Sequence, residues 1–383
     1  MASVIAAAVL GPLLSFPKAE RGRGVQDQQP DSIADLRALM QSLTGLSPDP
    51  CGPPYGREQD WHTYHAESLV FEKAAQIVTQ RLNATAGSPG PGSIRDRAAE
   101  ALKEPEAVSA EINAAWPEEN RFHFQILDVP PALVVKMTVR THAMFFVFGV
   151  PETDAGKPNR LWRSVGSGEG TSEYDVPQSD LELYPLRRGP SGNARFLAKF
   201  GLSGCAGSLG VAYDAREWNP HGSGSLEQII KQSGAFGLDG NVAGFPEIGR
   251  LQTEGSRITL PYCWFSAIDT WDNPSLCAVD TYDLSGDNAR FRWHIYNRPD
   301  LLPIAKALEY AEKRDYPAVL GYCASSQLAH RLVRDISPEF FAEDIRVIRT
   351  GNGKERVELC DGACRFDVEK RSGRWLVAAF HIE

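Results

Sequence analysis

At 383 residues, with 42% hydrophobic and 23% charged residues, the chain has material for two or three folded units and is too apolar to be disordered throughout. A formal net charge of −9 excludes a global positive field for a polyphosphate, so nucleic acid is not an expected partner. No stretch holds the roughly 20 successive apolar residues of a membrane-spanning helix, and no transmembrane segment is expected.

Residues 1–19 read "MASVIAAAVLGPLLSFPKA", with an apolar run from Val4 to Leu14 of the length found in secretory signals. No Lys or Arg precedes the run, and Pro17-Lys18-Ala19 departs from a small-x-small cleavage site. The reading is a signal peptide over 1–19 and a secreted or periplasmic protein, with a cytoplasmic protein as the alternative.

Residues 31–118 read as a helical region. Ile33, Leu36, Leu39, Met40 and Leu43 form one apolar stripe, a second helix is predicted over 66–82, and a third runs from Ser93 toward Trp116. From 120 to 298 the period changes from helical to alternating. Segments such as "FHFQILDV", "RFLAKFGL", "SRITLPYCWFSAID", "LCAVDTYD" and "RFRWHIY" are rich in β-branched and aromatic residues and are separated by Gly, Pro, Asn and Asp. They predict an antiparallel β-rich domain, either a sandwich or a partial propeller.

In 299–383, Asp300 and Asp315 are candidate caps for two helices, and Leu328, Leu332, Val333 and Ile336 mark a third. Turn signals at Asn352-Gly353, Asp361-Gly362 and Ser372-Gly373 then divide the remainder into four antiparallel strands. The whole is therefore an α+β chain. Helices followed by such a meander, with "KRDYPAVLGYCA" and "RFDVEKRSGRWLVAAF" as the defining stretches, resemble the nuclear transport factor two-like superfamily of cone-shaped domains over about 300–383. The resemblance implies helices packed on a four-stranded sheet, with Phe366, Val368 and Trp375 shielded. It implies no single function, because such domains host enzymes, pockets and dimerisation modules.

The cysteines are Cys51, Cys205, Cys263, Cys277, Cys323, Cys360 and Cys364, with no C-x2-C pair to hold zinc. A turn over Asp361-Gly362-Ala363 brings Cys360 toward Cys364, although strand alternation puts both on one face only across a bulge. No cofactor fingerprint appears, and neither a cofactor nor a metal is expected.

The pattern Ala-(Ile/Val)-Asp-Thr-(Trp/Tyr)-Asp occurs at 267–272 and again at 278–283. It supplies Asp269, Asp272, Asp280 and Asp283 as candidate catalytic carboxylates, with Trp264, Trp271, Tyr282 and Trp293 as candidate ligand-binding aromatics. Alternation places residues of opposite parity on opposite faces, so a regular strand splays the carboxylates of each copy. The spacing does not fit a helix-loop-helix calcium loop. The competing interpretation is that the aromatics fill the core while Asp and Thr occupy turns.

Other motifs are weaker. Ser208 approximates a nucleophile elbow, with His221 as a distant base, but a strand follows where the elbow needs a helix. His62 and His65 lack the spacing of a zinc helix. His123 and His142 fall in strands, and Asn83-Ala84-Thr85 matches a glycosylation acceptor. The expectation is an exported, non-catalytic protein that binds a small molecule, glycan or protein partner through its β region. The alternative is a carbohydrate-active or other hydrolase using carboxylates within 269–283.

Overall fold

The computed structural model describes residues 32–46, 58–84, 93–140, 142–152, 161–166, 180–203, 209–221, 224–236, 251–253, 255–264, 266, 268, 276–336 and 345–382. Residues 1–19, Cys51, Cys205, Ser208, Asp269, Trp271 and Asp272 lie outside them.

Three helices open the described chain: α1 (Ser32–Leu43), α2 (Glu58–Ala84) and α3 (Ile94–Ile112). Leu36, Met40 and Leu43 of the predicted stripe are fully buried. A capping box starts α3, in which the Ser93 hydroxyl accepts from the Asp96 N–H and the Asp96 carboxylate accepts from the Ser93 N–H. Helix α2 begins at Glu58, ahead of the expected Ala66, and Thr63 and Tyr64 are already buried before the predicted start.

These helices cover one face of an antiparallel sheet made of β1 (His123–Val129), β2 (Ala132–Val139), β3 (His142–Gly149) and β4 (Arg163–Gly166) in chain order. Val135, Met137 and Phe146 point at the helices, and Val134, Phe145 and Val147 belong to a separate core on the other face. Burial on both faces explains why β2 and β3 read as nearly continuous apolar runs.

The second core lies against a seven-stranded antiparallel sheet, again in chain order: β5 (Asp180–Pro185), β6 (Arg195–Ser203), β7 (Leu209–Asn219), β8 (Ser225–Phe236), β9 (Arg257–Trp264), β10 (Leu276–Asp283) and β11 (Arg290–Tyr296). Phe196 and Phe200 of this sheet meet Phe145 of the first, and Trp218 belongs to the same core. Trp218 fits because Gly149 and Gly224 flank it; a Cβ added at either would come within 2.3 and 2.5 Å of the ring, respectively. Among the described residues β8 meets β9 at one rung, Ala235 with Cys263. There the sheet bends, so that Leu197, Val211 and Tyr213 share a core with Ile258 and Leu260. The Tyr213 hydroxyl donates to the Pro261 carbonyl at 2.7 Å across this bend.

The C-terminal region comprises α4 (Leu302–Glu312), α5 (Tyr316–Leu320) and α6 (Ser326–Asp335), followed by a sheet of β12 (Arg346–Gly351), β13 (Lys354–Leu359), β14 (Cys364–Arg371) and β15 (Arg374–Ile382) in chain order. Leu301, Ile304, Leu308 and Leu332 close on Phe366, Val368 and Val377 in one core. Asp315 caps α5 through the Ala318 N–H. Asp300 does not cap α4: Leu301 occupies the cap position, and the Asp300 carboxylate is taken up instead by the Arg298 guanidinium at 2.6 Å. Phe366 and Val368 are buried, whereas Trp375 lies half-buried at the margin of the core. Ser372 and Gly373 both have positive φ, the conformation a two-residue hairpin turn requires.

Candidate ligand site

The second copy of the repeat is strand β10, and its partner β9 ends at Trp264, before the first copy begins. Antiparallel register then fixes what surrounds Asp280. Tyr262 and Tyr296 flank Ala278, Leu260 and His294 flank Asp280, and Ile258 and Phe291 flank Tyr282. Because alternate residues share a face, these nine positions lie on one side of the sheet around the carboxyl: Ile258 and Leu260 belong to the core shared with Tyr213, Tyr262 and Tyr282 pack against its margin, and buried Ala278 lies beside the carboxyl. The rings run on in contact: Tyr282 to Phe291 at 5.5 Å, Phe291 to His294 at 5.7 Å, and His294 to Tyr296 at 4.5 Å.

Asp280 is only 5% exposed, and its Oδ1 is buried with no hydrogen-bond partner among the described residues. Burial pushes its carboxyl above the usual aspartate range, although the Tyr262 hydrogen bond and nearby His294 pull the other way. Burial, and then the Asp280 charge, raise Tyr262 and Tyr282 as well. Tyr296 is raised by burial first and by Tyr322 and Asp280 after it. The patch thus holds neutral hydroxyls, aromatic faces and a carboxyl with an unused oxygen. Such a group costs free energy to bury, and a ligand hydroxyl or N–H would recover it.

Two further devices hold the patch. Cys263 and Cys277, register partners next to Tyr262 and Ala278, form a disulfide between β9 and β10. Fully buried Arg195 donates to the carbonyls of Leu284 at 3.0 Å, Gly286 at 2.9 Å and Asp287 at 2.7 Å while pairing with Glu217. Arg195 thereby fastens the β10–β11 turn to β6 and β7.

Asp280 and Tyr282 therefore come together, but Asp283 and Trp293 do not join them. Asp283 has the opposite parity to Asp280 and is bound by Arg292, which with the Ser285 N–H holds its carboxyl well below the usual range. Trp293 faces the same way as Asp283, is 44% exposed, and stacks under the Arg257 guanidinium at 5.6 Å. Trp264 closes β9. Sequence reading did not single out Tyr262, His294 and Tyr296 as one site, because strand register is invisible in the alternation of a single strand.

The remaining candidates have structural surroundings. His62 and His65 are exposed on α2. His123 lies beside the Glu118 carbonyl at 2.6 Å, and His221 is exposed near Glu152. His142 is buried 3.0 Å from Glu67, whose other oxygen meets Arg140; that guanidinium also caps α1 through the carbonyls of Leu43 and Leu46. The Asn83 amide exchanges two hydrogen bonds with the Trp162 backbone, which a glycan on its nitrogen would disrupt. Among the described residues no group of three metal-ligating side chains converges, and no helix is long and apolar enough to cross a membrane.

No protein-family model and no curated protein sequence matches the chain. One solved structure found to be similar is a point mutant of an α-L-arabinofuranosidase from Fusarium graminearum bound to an iminosugar inhibitor. The match has 9% identity, covers 68% of this chain and 62% of that chain, and has a TM-score of 0.26. A likeness this slight carries neither fold nor function.

Proposed function

We propose that the protein is an exported, non-catalytic binding protein whose β9–β11 face takes a neutral saccharide. The observation that carries the reading is the unpartnered Oδ1 of Asp280 within a ring of tyrosines. A sugar presents hydroxyls that both donate and accept, together with C–H faces that pack on aromatic rings, and the patch offers a partner for each. A desolvated carboxyl disfavours an anionic ligand. The Cys263–Cys277 disulfide supports an oxidising compartment, in keeping with the reading of 1–19 as a signal. Helices packed on a four-stranded meander support the cone-like reading of the C-terminal region.

The hydrolase alternative needs two carboxyls about 5–10 Å apart on the same side of a ligand. Asp283 faces away from Asp280, which favours binding without turnover. Calorimetric titration with a panel of neutral and uronic-acid oligosaccharides tests the proposal. Binding of a neutral sugar that is lost in Asp280→Ala and Tyr262→Ala, and kept in Trp293→Ala, is the expected outcome. Sugar hydrolysis abolished by Asp280→Asn would instead establish the enzyme.

A further inference from the structure

Outside the β9–β11 face the molecule presents an α2–α3 groove, the buried Glu67–His142 pair, the exposed β11 edge and the cysteines of the C-terminal region. The groove beside Arg81 and Glu104 is a shallow ion-paired surface. The Glu67–His142 pair is sealed beneath helices. Nothing indicates what would cover β11.

The cysteines carry more. Cys360 and Cys364 stand at the two ends of the connection between β13 and β14, and both are thiols. A single 3-10 turn, closed by the Ala363 N–H donating to the Cys360 carbonyl at 3.0 Å, spans them. This turn replaces the regular alternation that would have kept the residues on opposite faces: Leu359 pairs with Cys364, and Cys360, which follows it, packs on the same core as Cys364. Cys360 has φ +54, a conformation that non-glycine residues rarely take. Cys364 is buried at 4% exposure, while Cys360 is partly accessible. Cys323, the third thiol among the described residues, is buried separately beside Val377.

We propose that Cys360 and Cys364 are a modification site that an external disulfide converts to an intramolecular disulfide. The accessible Cys360 thiolate attacks one sulfur of the external disulfide, forming a mixed disulfide and releasing one external thiolate. Cys364 then loses its proton and attacks the Cys360 sulfur, expelling the second external thiolate. The two protein thiols are oxidised, the external disulfide gains their two electrons, and the two protons leave on the released thiols. Burial and the neighbouring Cys360 push the Cys364 thiol up to about 11, which suits it to the second, intramolecular step and not to first attack. A crosslink across so short a turn serves to hold the β13–β14 connection rather than to catalyse exchange in other proteins.

The test uses the full folded chain, exposed to oxidised glutathione under native conditions, alkylated and digested with trypsin. Cleavage after Arg356 and Arg365 leaves both thiols in one peptide, "VELCDGACR", which holds no other cysteine. The expected result is that peptide lighter by two hydrogens and resistant to alkylation, with Cys323 still alkylated after unfolding. Cys364→Ser should accumulate the glutathione adduct on Cys360, confirming the order of attack. A lasting mixed disulfide in the wild-type chain, alkylation of both thiols after oxidant treatment, or closure only in denaturant would each overturn the proposal.

Discussion

Asp214 and Asp280 are buried aspartates on the same seven-stranded sheet, and they face opposite sides of it. Asp214, on β7 against the first sheet, accepts from Arg216 Nε at 2.6 Å and from the Gln228 amide at 2.8 Å. Asp280, on β10, has a tyrosine hydroxyl and, among the described residues, no ion-paired cation and no partner for its second oxygen. Both side chains are desolvated, yet only the first is compensated from within the fold. A carboxylate whose partners are all supplied by the protein belongs to the architecture, whereas one left open is a position at which a ligand gains by completing it.

That contrast can be broken experimentally, and the largest effect is expected at Asp214. Replacing it by Ala leaves the buried Arg216 guanidinium without its carboxylate and should cost about 3–5 kcal/mol in urea unfolding. A loss below about 1 kcal/mol would mean that water reaches the pair and screens it. The same division between enclosed and marginal positions applies to rings. Phe366→Ala should also cost about 3–5 kcal/mol, because the ring is wholly enclosed. Half-buried Trp375→Ala should cost about 1–2 kcal/mol by its smaller buried area, so equal losses would place Trp375 inside the core.

At Asp280 the balance should reverse. Asp280→Asn is expected to change stability by no more than about 1 kcal/mol while weakening saccharide binding at least roughly tenfold. A large stability loss would show that the carboxylate supports the fold as Asp214 does. The smallest effect is a difference in pH dependence. Because the folded carboxyl binds its proton more tightly than the unfolded one, its contribution favours the native state at low pH. That contribution is lost as pH rises from the ordinary aspartate range through the raised folded value. Asp283, held low by Arg292, works in the opposite sense, contributing above the ordinary range and losing its effect as acid protonates it. Subtracting the stability–pH curve of Asp280→Asn from that of the wild type should leave a step that falls with rising pH; a flat difference would contradict the assignment.

How much of this was legible follows from which interactions are local. The α1 stripe, the Asp315 cap and the Ser372-Gly373 turn depend on neighbours within a few residues, and the sequence displays them. Strands β4, β5 and β8 escaped notice: β4 is short, "DLELYP" ends in proline, and "SLEQIIKQSGAF" mixes polar residues into a strand that pairs mainly with β7. Asp280 and Tyr282 lie two residues apart on one strand, so alternation alone puts them on one face. Tyr262 and Tyr296 join them through register across separate strands, and the Glu67–His142 pair spans 75 positions of chain. No local pattern encodes either meeting.

The grip of Arg195 on the hairpin tip has a kinetic consequence. Turns at the end of a sheet ordinarily fray first, and their amides exchange with solvent through small local openings. Here the carbonyls of Leu284, Gly286 and Asp287 are held by a side chain from β6, so the tip cannot lift without breaking three hydrogen bonds to a buried guanidinium that Glu217 holds in place. Backbone amides of β10 should therefore exchange with deuterium at the slow, cooperative rate of β6 and β7, leaving the strand that carries Asp280 equally still with or without a ligand.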